Sequence, residues 1–441
     1  GNYRFRCRDT KRAGAGGVGR RGSPQCRTLM PDLSLDLDLI KMSSLLAKFG
    51  LAPVINASGS VTRLGGAPMP QAVVAAMAEM AAYTVPLDVL QGIACRQIAE
   101  ATRSEAGLVT AGAAAGLTLG SAAILTGWNR ARMESLPNTD GFANEFVVAR
   151  EHRSGYDHAV RAAGAKLVEV GFNDIVSGAG VRRTEVWEYE AAFSAATVGV
   201  LYVLSPESVP PLAEVVALAH AHGLPVLVDA AAELPPRLNL TDITATGADL
   251  VAFSGGKSIR GPQSSGILAG RRDLIGSAFV QMMDLDEHPQ LWAPPPELVD
   301  QKALLGGPPR HGLGRGLKVA KETIIGLLTA LELFESGQYD VEVERQRIIL
   351  DKIVKDLQGL PLSCRVEESL DGESSPLLEI VLDESVLGRT AFQVCRALRD
   401  GKPAIYPGHA RLAKGSLMIH PLHLDEDTAK ALARRIAEEV N

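Results

Sequence analysis

From Val54 onward, short runs of β-branched and apolar residues alternate with Ala-rich amphipathic stretches, and this alternation constrains the fold more than any other feature of the chain. Helix-length segments set between strand-length runs let the chain cross back over a sheet, so the pattern predicts βαβ units and an α/β fold with a mostly parallel sheet. Strands are expected at 146–149, 166–170, 198–204, 225–229, 250–254 and 265–269. The loop before the last of these is too short for a helical crossover, which makes 265–269 antiparallel to its neighbour. A helical pattern over 318–357, broken near Gly337, follows a Pro/Gly-rich stretch and leads into a smaller module. That module has strands at 377–382, 404–406 and 417–419, with helices at 390–399 and from Asp425.

At 441 residues the chain is too long for one ordinary core, and two domains are expected. A large domain with an N-terminal arm takes 42–310. A connector helix and a small C-terminal α/β domain take 311–441. Residues 1–41 are Arg/Gly-rich and then alternate acidic and apolar residues without a globular period, as a disordered or vector-derived segment would, and Met42 reads as a natural start. A G-x-G-x-x-G at Gly14, Gly16 and Gly19 has no preceding strand and no following helix, so it is not a dinucleotide site.

Residues 1–30 carry eight Lys/Arg against one acid, or +7, which leaves −13 on the rest of a chain whose net charge is −6. An acidic body excludes nucleic acid as the main partner. Cys7, Cys26, Cys95, Cys364 and Cys395 are odd in number and form no C-x-x-C pair, which fits reduced thiols in a cytoplasmic protein. No apolar run is long enough for a membrane span. The nearest, 111–127, is short and rich in Gly and Ala, as a buried helix would be.

The chemistry concentrates in four segments. The strand 250–254 runs through Ser254 and a glycine pair into Lys257, then into a second glycine-rich turn. A lysine delivered into a crevice between glycines can form a Schiff base with a bulky carbonyl cofactor. Gly256-Lys257-Ser258 mimics the end of a P-loop, but Val251 stands where that motif needs glycine. The strand 225–229 ends in Asp229, 28 residues before the lysine, placed to pair with a protonated pyridine nitrogen. Together they point to pyridoxal 5'-phosphate (PLP). At Gly112, Ala113 and Ala114 a helix opens with small residues, so its free N–H groups can take the phosphate, with the Ser254 hydroxyl as a further donor. His152 follows the end of strand 146–149 and can stack on the cofactor ring. His152 and His158 lack metal-ligand spacing, and no metal is expected.

These residues, in this order, resemble the selenocysteine synthase-like superfamily of fold-type I PLP enzymes, and within it the group of D-glucosaminate-6-phosphate ammonia-lyase. The resemblance spans most of the chain from Val54 and rests on 54–66, the Ala113 helix start, 151–158, the Lys257 segment and 314–322. It implies an aspartate-aminotransferase-like fold and a homodimer or larger assembly with the active site at the subunit interface, where Arg63 and the Gly261-Pro262-Gln263 turn reach a neighbour's cofactor. Selenocysteine synthases carry a substantial tRNA-binding region before the Ile-Asn-Ala segment, whereas only a dozen residues separate Met42 from Val54 here. A small amino acid or amino-sugar acid is therefore the expected substrate. The expected reaction is removal of the α-proton by Lys257 and loss of a β-hydroxyl, giving a 2-keto acid and ammonia. Seryl-tRNA selenium transfer, racemisation and aldol cleavage are the alternatives. Arg63 and Arg315 are the candidate anchors for a carboxylate or phosphate, because a planar guanidinium grips such oxyanions bidentately. Arg260, Arg310 and Arg411 are weaker candidates.

Overall fold

The computed structural model describes residues 44–172, 182–300, 302–304, 307–369 and 371–441. The expectations for 1–41 and Met42 lie outside these residues. The described residues fall into two units, 44–52 and 53–441. The described part of the first holds the short helix Ser44–Lys48.

In the second unit the strands are β1 Ile55–Ala57, β2 Ala106–Thr110, β3 Glu145–Ala149, β4 Lys166–Val170, β5 Thr197–Val203, β6 Val226–Asp229, β7 Leu250–Ser254, β8 Gly266–Gly270, β9 Leu362–Glu367, β10 Leu377–Leu382, β11 Ile405–Pro407 and β12 Ser416–Ile419. Seven of them form one sheet in the order β2-β8-β7-β6-β5-β3-β4. The neighbours from β7 to β4 are parallel, while β8 is antiparallel to both β7 and β2, as its short connection required. Strands β2, β6 and β8 are buried along their whole length. A sheet covered on both faces explains why they read as continuous apolar runs rather than alternating ones.

The helix Ala113–Thr126 lies across this sheet. A Cβ at Gly120 would stand 3.0 Å from Leu227 Cδ1 and 3.2 Å from Leu250 Cδ1, so the small residues in its middle serve close helix-on-sheet packing. The run of glycines and alanines thus has two uses, one along the helix and one at its start.

The strand β2 has no counterpart among the sequence expectations. Ala106 and Gly107 are poor strand formers by propensity. The helix Leu87–Thr102 presses so close that Ile98 Cγ2 lies 2.1 Å from where a Cβ on Gly107 would stand, and tertiary packing overrides propensity there.

The connector divides into helices Lys321–Glu335 and Val341–Asp356 on either side of Gly337, where the break was expected. Beyond it, β12-β10-β9 form a three-stranded antiparallel sheet. The helices Ala391–Asp400 and Glu426–Val440 start at capping boxes on Thr390 and Asp425. Each box satisfies two amide groups that would otherwise end the helix unpaired. One strand joins the ends of this unit: β1 pairs in parallel with β11, Ile55 opposite Ile405.

Candidate active site

Parallel strands deliver their C-terminal ends to one edge of a sheet, and ligands bind in the crevice beyond that edge. Here that edge carries Thr110, Ala149, Val203, Asp229 and Ser254, the last residues of β2, β3, β5, β6 and β7. The ladder aligns them: Val203 pairs with Asp229, Asp229 with Ala252, and Gly266 at the start of β8 lies between Thr110 and Ser254.

Gly266 explains how two separate segments become one site. A Cβ on it would stand 2.4 Å from the carbonyl carbon of Gly112 and 2.6 Å from Ala113 N, so the sheet edge touches the helix start directly. Only glycine allows this approach. Ser254, opposite Gly266 in the ladder, thereby ends on the same stretch of sheet edge that touches Gly112 and Ala113. Gly112 takes φ +93°, and a Cβ there would meet nothing within 4 Å. No side chain caps the helix, and its first turn has no acidic residue. The amides at this helix start therefore face an open cradle suited to an anion.

Lys257 sits in a closed turn after β7. Gly255 N donates to Ser265 O, Gly261 N to Gly255 O and Arg260 N to Lys257 O, at 2.8–2.9 Å. Arg260 holds a left-handed φ of 60°, a costly conformation for a side-chain-bearing residue. Three partners fix it there: Glu342 at 2.8 Å, the Pro68 carbonyl at 2.9 Å and the face of Tyr339 at 4.8 Å. Gly256 O accepts from Ala67 N at 3.1 Å, and Gln263 packs over Gly66, so the segment after β1 closes on the lysine turn.

Asp229 and Lys257 act on one another electrostatically. Burial raises the Asp229 carboxyl above the usual range, while an amide hydrogen bond from Ala231 at 3.1 Å and the Lys257 ammonium oppose that rise. Glu233, four residues on, feels the same two groups: burial and Asp229 raise its carboxyl, and Lys257 opposes them. Glu233 has no place among the sequence expectations.

His152 lies just past β3, 5% exposed, and neither ring nitrogen has a hydrogen-bond partner. Its ring meets Tyr202 edge-on, and burial, helped by Arg183 and opposed by Glu151, lowers its pKa to about 4. Tyr202 was also missed. It is an apolar-run residue of β5 whose hydroxyl donates to Pro210 O at 2.8 Å. A neutral, unpartnered, buried imidazole offers a flat face rather than a proton.

The other candidate arginines have these partners. Arg63 is exposed on the segment after β1, and its charge acts on Cys395 of the helix Ala391–Asp400. Arg315 pairs with Asp284, in a 3-10 turn packed against the Ala113–Thr126 helix and the helix Arg272–Met282. Arg310 pairs with Glu134, and Arg411 with Glu367 and Glu379. Among the described cysteines, Cys95, Cys364 and Cys395 are free thiols, as expected. Among the described residues no helix is long and apolar enough to cross a membrane.

These residues suit PLP: a helix start at Gly112 with no side-chain cap and no acid in its first turn, a buried imidazole without a hydrogen-bond partner, and a buried carboxylate in electrostatic reach of a lysine. A family model described as aminotransferase class-V matches residues 207–286, a stretch that contains both Asp229 and Lys257. The chain is 29% identical over 395 residues to a 5'-C-glycyluridine monooxygenase-decarboxylase from a Streptomyces species, covering 88% of this chain and 90% of that one. It is 29% identical over 399 residues to D-glucosaminate-6-phosphate ammonia lyase of Salmonella typhimurium, covering 89% and 96%. A solved structure of D-glucosaminate-6-phosphate ammonia-lyase superposes with a TM-score of 0.73 at 28% identity, over 90% of this chain and 98% of that chain. The fold is that of fold-type I PLP enzymes, and the resemblance to the ammonia-lyase group is borne out.

Proposed function

We propose that the protein is a PLP-dependent carbon–nitrogen lyase that converts a small 2-amino-3-hydroxy acid or amino-sugar acid into a 2-keto acid and ammonia. What supports this reading is the electrostatic coupling of Asp229, at the end of β6, to Lys257, just past β7, in a chain similar over nearly its whole length to an ammonia lyase. When bound, PLP would supply an electron sink for the charge left at the substrate's α-carbon.

The chain supplies the rest. Lys257 is the base that takes the α-proton at Nζ. Asp229 holds negative charge where a ring nitrogen must stay protonated. The amides of Gly112, Ala113 and Ala114, with the Ser254 hydroxyl, hold the phosphate. His152 covers one face of the ring and keeps water from it. Gln263 and Arg63 serve the site of a neighbouring subunit in a homodimer or larger assembly, and Arg63 and Arg315 anchor the substrate's carboxylate or phosphate. The acidic body and free thiols favour a cytoplasmic enzyme with no nucleic-acid partner.

Two measurements test this. Borohydride reduction of the purified protein is expected to leave a reduced cofactor adduct at Lys257 that Lys257→Ala lacks. Steady-state assay with D-glucosaminate 6-phosphate and with simpler 3-hydroxy amino acids is expected to release keto acid. Turnover of none of them sinks the lyase reading, and oxygen uptake during turnover would place the chain with oxidative decarboxylases instead.

A further inference from the structure

The turn that leaves β6 carries a second carboxylate whose place is set by the backbone on both sides. Glu233 N donates to Ala230 O at 3.2 Å, and the Asn239 side-chain amide donates to Glu233 O at 2.6 Å. The next residue, Leu234, offers its carbonyl to Ser258 Oγ at 2.6 Å. Ser258 directly follows Lys257. One hydrogen bond therefore ties the residue after Glu233 to the residue after the lysine.

Glu233 is half-buried, and its carboxyl is raised by burial and by Asp229. It keeps a proton more readily than an exposed glutamate. The other titratable groups described at the sheet edge are committed. Asp229 closes the buried end of β6, Lys257 must arrive unprotonated to act as a base, and the Tyr202 hydroxyl already donates to Pro210 O. His152 is a neutral ring without a partner. A departing hydroxyl needs an acid, since hydroxide is a poor leaving group, and one positioned acid is worth roughly 10²–10⁴-fold in rate.

We propose that Glu233 is the acid that protonates the departing β-oxygen of the substrate. This rests on the lyase reading above. The Cβ–O bond breaks with its electron pair on oxygen, which takes the Glu233 proton and leaves as water. The Cα–H pair becomes the new carbon–carbon π bond, and the α-proton resides on Lys257 Nζ. Transfer of that proton from Lys257 to Glu233 restores both groups, with no oxidant or reductant required.

The test compares leaving groups in the holoenzyme. Glu233→Gln is expected to slow elimination from a 3-hydroxy amino acid by about 10²–10⁴-fold. Elimination of chloride from β-chloroalanine needs no acid and is expected to stay within about threefold of wild type, as is α-hydrogen exchange in D₂O followed by NMR. Cofactor affinity, read by fluorescence titration, is expected to be unchanged, and Glu233→Asp to recover at least about tenfold of the lost rate. Equal loss with both leaving groups, or no loss with either, overturns the proposal while leaving the lyase reading intact. Should Glu233→Gln not fold, Glu233→Asp carries the same comparison, and a deficit that does not favour chloride over hydroxyl overturns it. A wild type inert to every hydroxy substrate sinks the lyase reading and this proposal with it.

Discussion

The imidazole of His152 stands edge-on to the phenol of Tyr202, ring centroids 4.5 Å apart and planes at 71°. With no hydrogen bond on either nitrogen, the ring contributes its face and its volume. His152→Phe is expected to keep cofactor binding close to wild type. His152→Ala is expected to weaken it by about 0.5–1.5 kcal/mol, roughly two- to tenfold in Kd. Fluorescence titration of the cofactor checks this, and equal losses in the two variants would assign the role to a nitrogen instead.

Buried histidines also set an acid limit on stability. Burial holds His152 at about 4, and burial together with His423 holds His420 at about 4, against an unfolded value near 6.5. Between these values the unfolded chain binds the extra protons. Stability is therefore full above about pH 6.5, falls as pH drops toward 4, and levels off below, with at most about 3 kcal/mol lost per histidine. Denaturation midpoints at pH 7.5 and pH 5 are expected to differ in this direction, by less in His152→Phe.

Gly112 and Gly141 give a matched pair. Both have a left-handed φ, +93° and +88°, and a Cβ on either meets open space. Gly112→Ala and Gly141→Ala are each expected to cost about 1–2 kcal/mol of strain. Only Gly112→Ala is expected also to lower cofactor affinity, by about tenfold or more, because the strain falls on the helix start whose amides would hold the phosphate. Equal affinities in the two variants would remove the phosphate from this helix start.

A stability prediction lies at the opposite end of the sheet. Asp249 is 3% exposed and accepts from Arg271 at 2.8 Å, from Val226 N at 2.8 Å and from the His220 ring at 2.9 Å. Asp249→Ala strands a buried amide and is expected to cost about 2–3 kcal/mol in urea denaturation. Arg271→Ala leaves two of the three bonds in place, and its side chain is 44% exposed, so about 1 kcal/mol is expected.

Much of the parallel sheet was legible because its strands are β-branched runs separated by helix-length segments. The lysine strand ends at Ser254 as read, and β4 and β10 match their expected limits. Where packing rather than composition decides, the sequence is silent. β2 begins with Ala106 and Gly107, whose smallness answers to Ile98 above them. The pairing of β1 with β11 joins residues 350 apart, Ile55 and Ile405, and no local pattern announces it. Within the site, Lys257 and Asp229 were readable because each ends a strand or follows one. Glu233 was not, since its place depends on a bond between Leu234 and Ser258 that only the folded chain forms. Arg63 and Arg315 were readable as oxyanion-binding side chains, but their present neighbours, Cys395 for the first and Asp284 for the second, belong to the folded chain alone.

The bond from Ala67 N to Gly256 O gives the turn around Lys257 a lid made by the chain's own first strand connection. That connection begins at β1, whose only ladder partner among the described residues is β11, far along the chain. The segment that closes on the carbonyl beside Lys257 is therefore anchored, through Ile55 opposite Ile405, to a strand near the far end of the chain.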